Sequence, residues 1–142
     1  MAARRILVLF EPGRAGIAAV EQARDLAVDD DATVTVVSVA PQAPALRGCA
    51  PSARDFNATV RDTVATELAQ AEELLWPIGS RGRCRVLVEG EDAPLEELIA
   101  RERFDLVLLP GRRRLLRGVG HPAAARLSAC AATEVRIVAA QA

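Results

Sequence analysis

Residues 106–109 (Leu-Val-Leu-Leu) offer no polar side to water. Side chains along a strand alternate between the two faces of a sheet, so an unbroken apolar run needs cover on both. The same demand comes from residues 5–10 (Arg-Ile-Leu-Val-Leu-Phe) and from 33–40 (Thr-Val-Thr-Val-Val-Ser-Val-Ala), a β-branched octet. Between such runs the apolar residues recur at helical spacing. Ile17, Val20, Ala23 and Ala27 form one stripe, and Phe56, Val60, Val64, Leu68, Ala71 and Leu75 a longer one. Residues 83–89 read as a third strand, alternating at first and so half-buried. Residues 94–103 form a short helix with Leu95, Leu98 and Ile99 inward and Asp92 as its N-cap. Residues 105–109 are the fourth strand, 122–132 an alanine-rich helix and 134–139 a last strand. This order, βαβαβαβαβ, predicts a Rossmann-like α/β fold. Its five-stranded parallel sheet is sandwiched by helices, with right-handed crossovers.

The joints are also legible. Asp29-Asp30-Asp31 ends the first helix with like charge on the negative pole of the helix dipole, so that helix should fray before the run. Residues 41–53 hold three prolines and a glycine and read as a long loop. The long helix should then begin at Arg54 and stop at Pro77.

Length and charge exclude several classes. At 142 residues the chain suits one domain, 1–142. A net charge of −1 gives no general attraction to nucleic acid or to an anionic membrane. No stretch approaches the roughly 20 apolar residues of a membrane span, and a cytoplasmic location is expected. All 18 basic residues are arginine, which removes a Walker-type phosphate lysine and any Schiff-base chemistry. Cys49, Cys84 and Cys130 lack paired spacing, and Cys49 is the one expected to be reactive. One histidine makes no metal set, and Ser38, Ser52, Ser80 and Ser128 have no base nearby. No metal site and no catalytic residue are expected.

In parallel sheets ligands gather beyond the carboxyl ends of the strands, where strand order reverses. The loops there are 11–16, 40–53, 90–92 and 110–121. The candidate nucleotide or anion site is therefore Glu11, Pro12, Gly13, Ala40, Pro110, Gly111, Arg112, Arg113, Arg114, Gly118, Gly120 and His121. The arginines, with Arg117, can grip an anion through forked hydrogen bonds or serve as partners of the abundant acidic residues. The glycines can supply positive φ beside a phosphate or act as ordinary turn residues. Glu11 can accept from a ribose hydroxyl or an adenine amino group, or face water. His121, just before Pro122, can donate to a phosphate, cap the helix or lie exposed. Trp76 suits a core or dimer contact better than a cofactor stack.

The chain resembles the universal stress protein family. The resemblance rests on Ile6-Leu-Val-Leu-Phe-Glu, Val86-Leu-Val-Glu-Gly-Glu-Asp-Ala-Pro, Phe104-Asp-Leu-Val-Leu-Leu-Pro-Gly and the closing Val135-Arg-Ile-Val. It implies a five-stranded α/β sandwich that dimerises through its last strand, with ATP bound in some members and no nucleotide in others. ATP-binding members carry G-x2-G-x9-G-[ST] after strand four and an aspartate ending strand one. Gly111 matches the first glycine, Arg114 replaces the second, Gly120-His121 comes four residues early, and Glu11 stands in place of the aspartate. The resemblance thus implies a homodimeric regulatory module with a degenerate nucleotide loop. The alternative is a sensor that binds ATP or another adenine nucleotide at 111–121.

Overall fold

The strands order themselves as the apolar runs require. In the computed structural model, which describes residues 4–41, 50–88, 94–114, 118–129 and 133–140, five parallel strands form one sheet. They are β1 (Arg5–Leu9), β2 (Thr33–Ala40), β3 (Gly82–Val88), β4 (Leu106–Pro110) and, at the far edge, β7 (Glu134–Val138). The order across the sheet is β3-β2-β1-β4-β7. A second, antiparallel pair, β5 (Arg112–Arg114) and β6 (Gly118–Gly120), stands where the sequence predicts an open glycine- and arginine-rich loop.

Alternation along β1 and β4 feeds two cores. Ile6, Val8, Leu106 and Leu108 point to one face, packing with Ala19, Val20, Ala23 and Ala27 of α1 (Arg14–Asp30) and with Leu68 and Ala71 of α2 (Ala50–Leu74). Leu7, Leu9, Val107 and Leu109 point to the other. There they meet Leu95, Leu98 and Ile99 of α3 (Pro94–Glu102) and Leu127 of α4 (Ala124–Ser128). Burial on both faces is the physical reason these strands lack polar residues. Edge strand β3 is only half covered, as its alternating sequence implies.

Three boundaries depart from the sequence reading. The long helix starts at Ala50, not Arg54, so residues 50–53 of the expected loop are helical. It ends at Leu74, and Trp76–Arg81 forms a 3-10 turn that leaves Trp76 83% exposed, which removes it from the core. The first helix does not fray before its aspartates but continues to Asp30. Asp31 caps it in the left-handed region (φ 54°), its backbone N–H donating to the Ala27 carbonyl.

The acidic end is tolerated because arginines meet it. Arg81 Nη1 donates to the Ala27 carbonyl (2.8 Å), to Asp31 Oδ1 (3.0 Å) and to the Ala32 carbonyl (3.5 Å), and Arg4 pairs with Asp30 at 3.3 Å. A guanidinium at the negative pole of a helix offsets the partial charge of its terminal carbonyls and of the aspartates beside them. Arg81→Ala is therefore expected to cost about 1–2 kcal/mol. Urea unfolding should show this together with earlier amide exchange at residues 28–32, and an unchanged midpoint would refute the role.

Candidate functional site

The strand order reverses between β1 and β4, and the turn after β1 starts the site there. Gly13 has φ +121° and is the N-cap of α1, with Ile17 N–H donating to its carbonyl at 3.2 Å. The chain then folds back so tightly that a Cβ at Gly16 would overlap the Glu11 carbonyl oxygen. That contact sets the Glu11 backbone at the tip of β1. Beside it, Ser38 Oγ of β2 donates to the Phe10 carbonyl at 3.1 Å, and Phe10 N–H donates to Val37 O at 2.7 Å.

The Glu11 carboxylate is fully engaged. Arg112, at the start of the β5–β6 hairpin, approaches it in forked fashion, Nε lying 2.9 Å from Oε1 and Nη2 donating to Oε2. His121 Nε2 lies 3.1 Å from the same Oε2. His121 is 4% exposed, and its Nδ1 accepts the Ala123 N–H at 3.0 Å. An acceptor Nδ1 places the imidazole proton on Nε2, so the ring donates to Glu11. Burial alone would raise the Glu11 pKa, but the hydrogen bonds from Arg112 and His121 together outweigh it and lower it below the usual carboxylate value.

Next to this cluster lies a crevice of about 490 Å³. Leu9, Phe10, Val39, Leu95 and Ala123 supply its apolar lining, with Val64 from α2, Pro12 and Pro122. Its charged lining is Glu11, Glu67, Glu96, Arg112 and Arg126. Arg126 Nε pairs with Glu96 Oε1 at 3.1 Å.

The candidate residues therefore divide. Glu11, Pro12, Arg112 and His121 come together at the crevice. Gly13 caps α1, while Ala40 and Pro110 are buried ends of β2 and β4 and pair with Val88 and Val138. Gly111 has no positive φ. A Cβ there would overlap Val119 and come within 3.1 Å of the Val138 carbonyl, so this glycine admits the hairpin onto β7. Gly118 and Gly120 pair with Arg114 and Arg112 in the hairpin ladder. For Arg113 and Arg114 the description covers backbone only, and Arg117, Cys49, Cys130, Asp92 and the 90–92 turn lie outside the described residues. His121 is neither exposed nor at the start of a long helix, because α4 begins only at Ala124.

Sequence reasoning missed Glu67, Glu96 and Arg126. Val64 and Glu67, three apart beside buried Leu68, did carry a signal: they sit at the border of the apolar stripe of α2. Cys84, half-buried on β3, has its thiol pKa pushed up to about 11, by burial first and the Glu72 charge second, and is chemically quiet. Among the described residues no group of three or more His, Cys, Asp or Glu can hold a metal ion. Among the same residues no helix is long and apolar enough to cross a membrane.

The family model of the universal stress proteins matches residues 2–131. The chain belongs to the universal stress protein family. Solved universal stress proteins share its fold. One from Burkholderia pseudomallei is 23% identical with a TM-score of 0.71, 94% of each chain being covered. One from Lactobacillus plantarum is 16% identical with a TM-score of 0.78, covering 97% of this chain and 99% of that one. A universal stress protein in complex with cAMP is 16% identical, TM-score 0.64, covering 99% and 100%. Among curated proteins none matches the sequence significantly.

Proposed function

We propose that this universal stress protein is a cytoplasmic regulatory binding module, homodimeric through β7 and without catalytic turnover. One observation carries the reading: the three groups beside the tip of β1 best suited to acid–base or nucleophilic chemistry are already committed to protein partners. His121 uses both ring nitrogens, Glu11 is neutralised by Arg112, and Ser38 donates to a backbone carbonyl. A general base must be free to take a proton, and none of these is. Strand β7 supports the dimer, since among the described residues its only neighbour in the sheet is β4, which makes it an edge strand, and its Ile137 is 39% exposed. Native mass spectrometry of the purified protein is expected to give twice the chain mass, and ATP incubation should release no phosphate above a buffer control. A monomer across the micromolar range, or steady phosphate release, would overturn the reading.

A second reading has its own support. The crevice volume of about 490 Å³ lies within the usual range for small-ligand sites. A relative of the same fold is in complex with cAMP. On this reading an adenine nucleotide, ATP included, occupies the crevice and signals through the hairpin that Arg112 tethers to Glu11. A thermal upshift with adenine nucleotides, absent with an unrelated metabolite, is the expected result.

A further inference from the structure

The charge inventory of the crevice points to a more specific ligand class. Its carboxylates outnumber its guanidinium groups among the described residues. Arg112 is held by Glu11 and Arg126 by Glu96. Glu67, on α2, is partly buried, lines the same crevice and makes no hydrogen bond or ion pair among the described residues. A partly desolvated carboxylate with open lone pairs is an acceptor waiting for hydroxyl or amino donors, and it repels a second negative charge brought close. Apart from Ser38 and His121 the rest of the lining is apolar and suits the face of a flat heterocycle.

We infer that the crevice is charge-selective: it takes an uncharged, hydroxyl-bearing heterocycle of the nucleoside class, with Glu67 accepting from the ligand, and it disfavours phosphorylated forms of the same molecule. This rests on the reading of the crevice as the ligand site. Among the described residues the ordinary phosphate-binding devices are spent on the fold. The arginine at the hairpin's base is tied to Glu11, and the first glycine of the loop is filled by Val119 and β7. The fork uses two of the five Arg112 N–H donors and offsets its charge with that of Glu11, so a phosphate would bind there against a carboxylate already in place. A ribose diol meets no such repulsion. Hydroxyl-to-carboxylate bonds of this kind are short and charge-assisted.

The test is a calorimetric titration of the full chain with adenosine, AMP and ATP at one ionic strength. Adenosine is expected to bind most tightly, with roughly fivefold weaker binding for AMP and a further loss for ATP. Glu67→Gln should weaken adenosine several-fold and narrow the adenosine–AMP gap, while Glu67→Arg should reverse the order. Since Glu67 has no partner to lose among the described residues, both variants should keep the parental unfolding midpoint, which separates a ligand effect from misfolding. ATP binding more tightly than adenosine would overturn the charge inference while leaving the crevice as a nucleotide site. An unchanged gap in Glu67→Gln would remove Glu67 from the discrimination and sink the proposal as stated. No heat and no thermal shift with any of the three, at millimolar concentration, would remove the crevice reading and the inference together.

Discussion

Replacing Gly16 by alanine is expected to lower the thermal unfolding midpoint by about 10 °C, the consequence of roughly 3 kcal/mol of overpacking. Alanine normally stabilises a helix relative to glycine, by about 1 kcal/mol. Here that gain is overwhelmed, because the added methyl would sit inside the Glu11 carbonyl oxygen. The obstacle is backbone, which cannot rotate away like a side chain. Relief requires either α1 or the 11–13 turn to move, and both carry buried contacts: Ala19, Val20 and Ala23 on the helix, Phe10 just before the turn. The predicted signature is therefore double, a large loss of stability and a disturbed Glu11–Arg112 fork. A scanning calorimetry midpoint at or above that of the parent would show that the turn yields cheaply.

That glycine also shows why part of the molecule was legible in the sequence and part was not. Runs such as 106–109 and 6–10 declare a doubly covered strand locally, because burial on both faces acts on every residue of the run. Helical stripes do the same over 15–27, and the parallel five-stranded sheet follows from their alternation. The site depends on contacts with no local signature. Glu11 and Arg112 are 101 positions apart, and Glu11 and His121 are 110 apart. Nothing in Gly-Arg-Arg-Arg announces a strand, yet Gly111 fits closely between Val119 and Val138, and pairing of β5 with β6 does the rest. The aspartate run at 29–31 looks like a fraying signal until Arg81 arrives from 50 residues downstream. Alanine content suggests a helix from 122, but His121 takes the Ala123 N–H and holds a turn there first. Periodicity records what each segment buries; it is silent about which distant side chain answers a charge.

The charge cluster itself gives the second large effect. Glu11→Ala is expected to destabilise the protein by about 2 kcal/mol, since it strands the buried His121 Nε2–H, 3% exposed, while half-exposed Arg112 returns to water. The arginine's share is discounted for that exposure. Glu11→Gln keeps an acceptor but removes the charge, and its cost should depend on pH. The sign follows from the lowered pKa of Glu11 in the folded chain. Above the usual carboxylate value of 4.5 both states are ionised, and the full stabilisation by Arg112 and His121 is present. As pH falls below that value the unfolded chain takes up the proton first, so stability drains until the folded carboxyl is protonated too. Urea unfolding at pH 7 should then separate parent from Glu11→Gln by about 1–2 kcal/mol. The gap should shrink steadily below pH 4.5, the onset set by that usual value. A double-mutant cycle with Arg112→Ala should return most of the gap as pairwise coupling, because the remaining contact of Glu11 is with a neutral imidazole. If the separation between parent and variant stays constant into acid, the Glu11 carboxylate is not the group that ties the hairpin to the crevice.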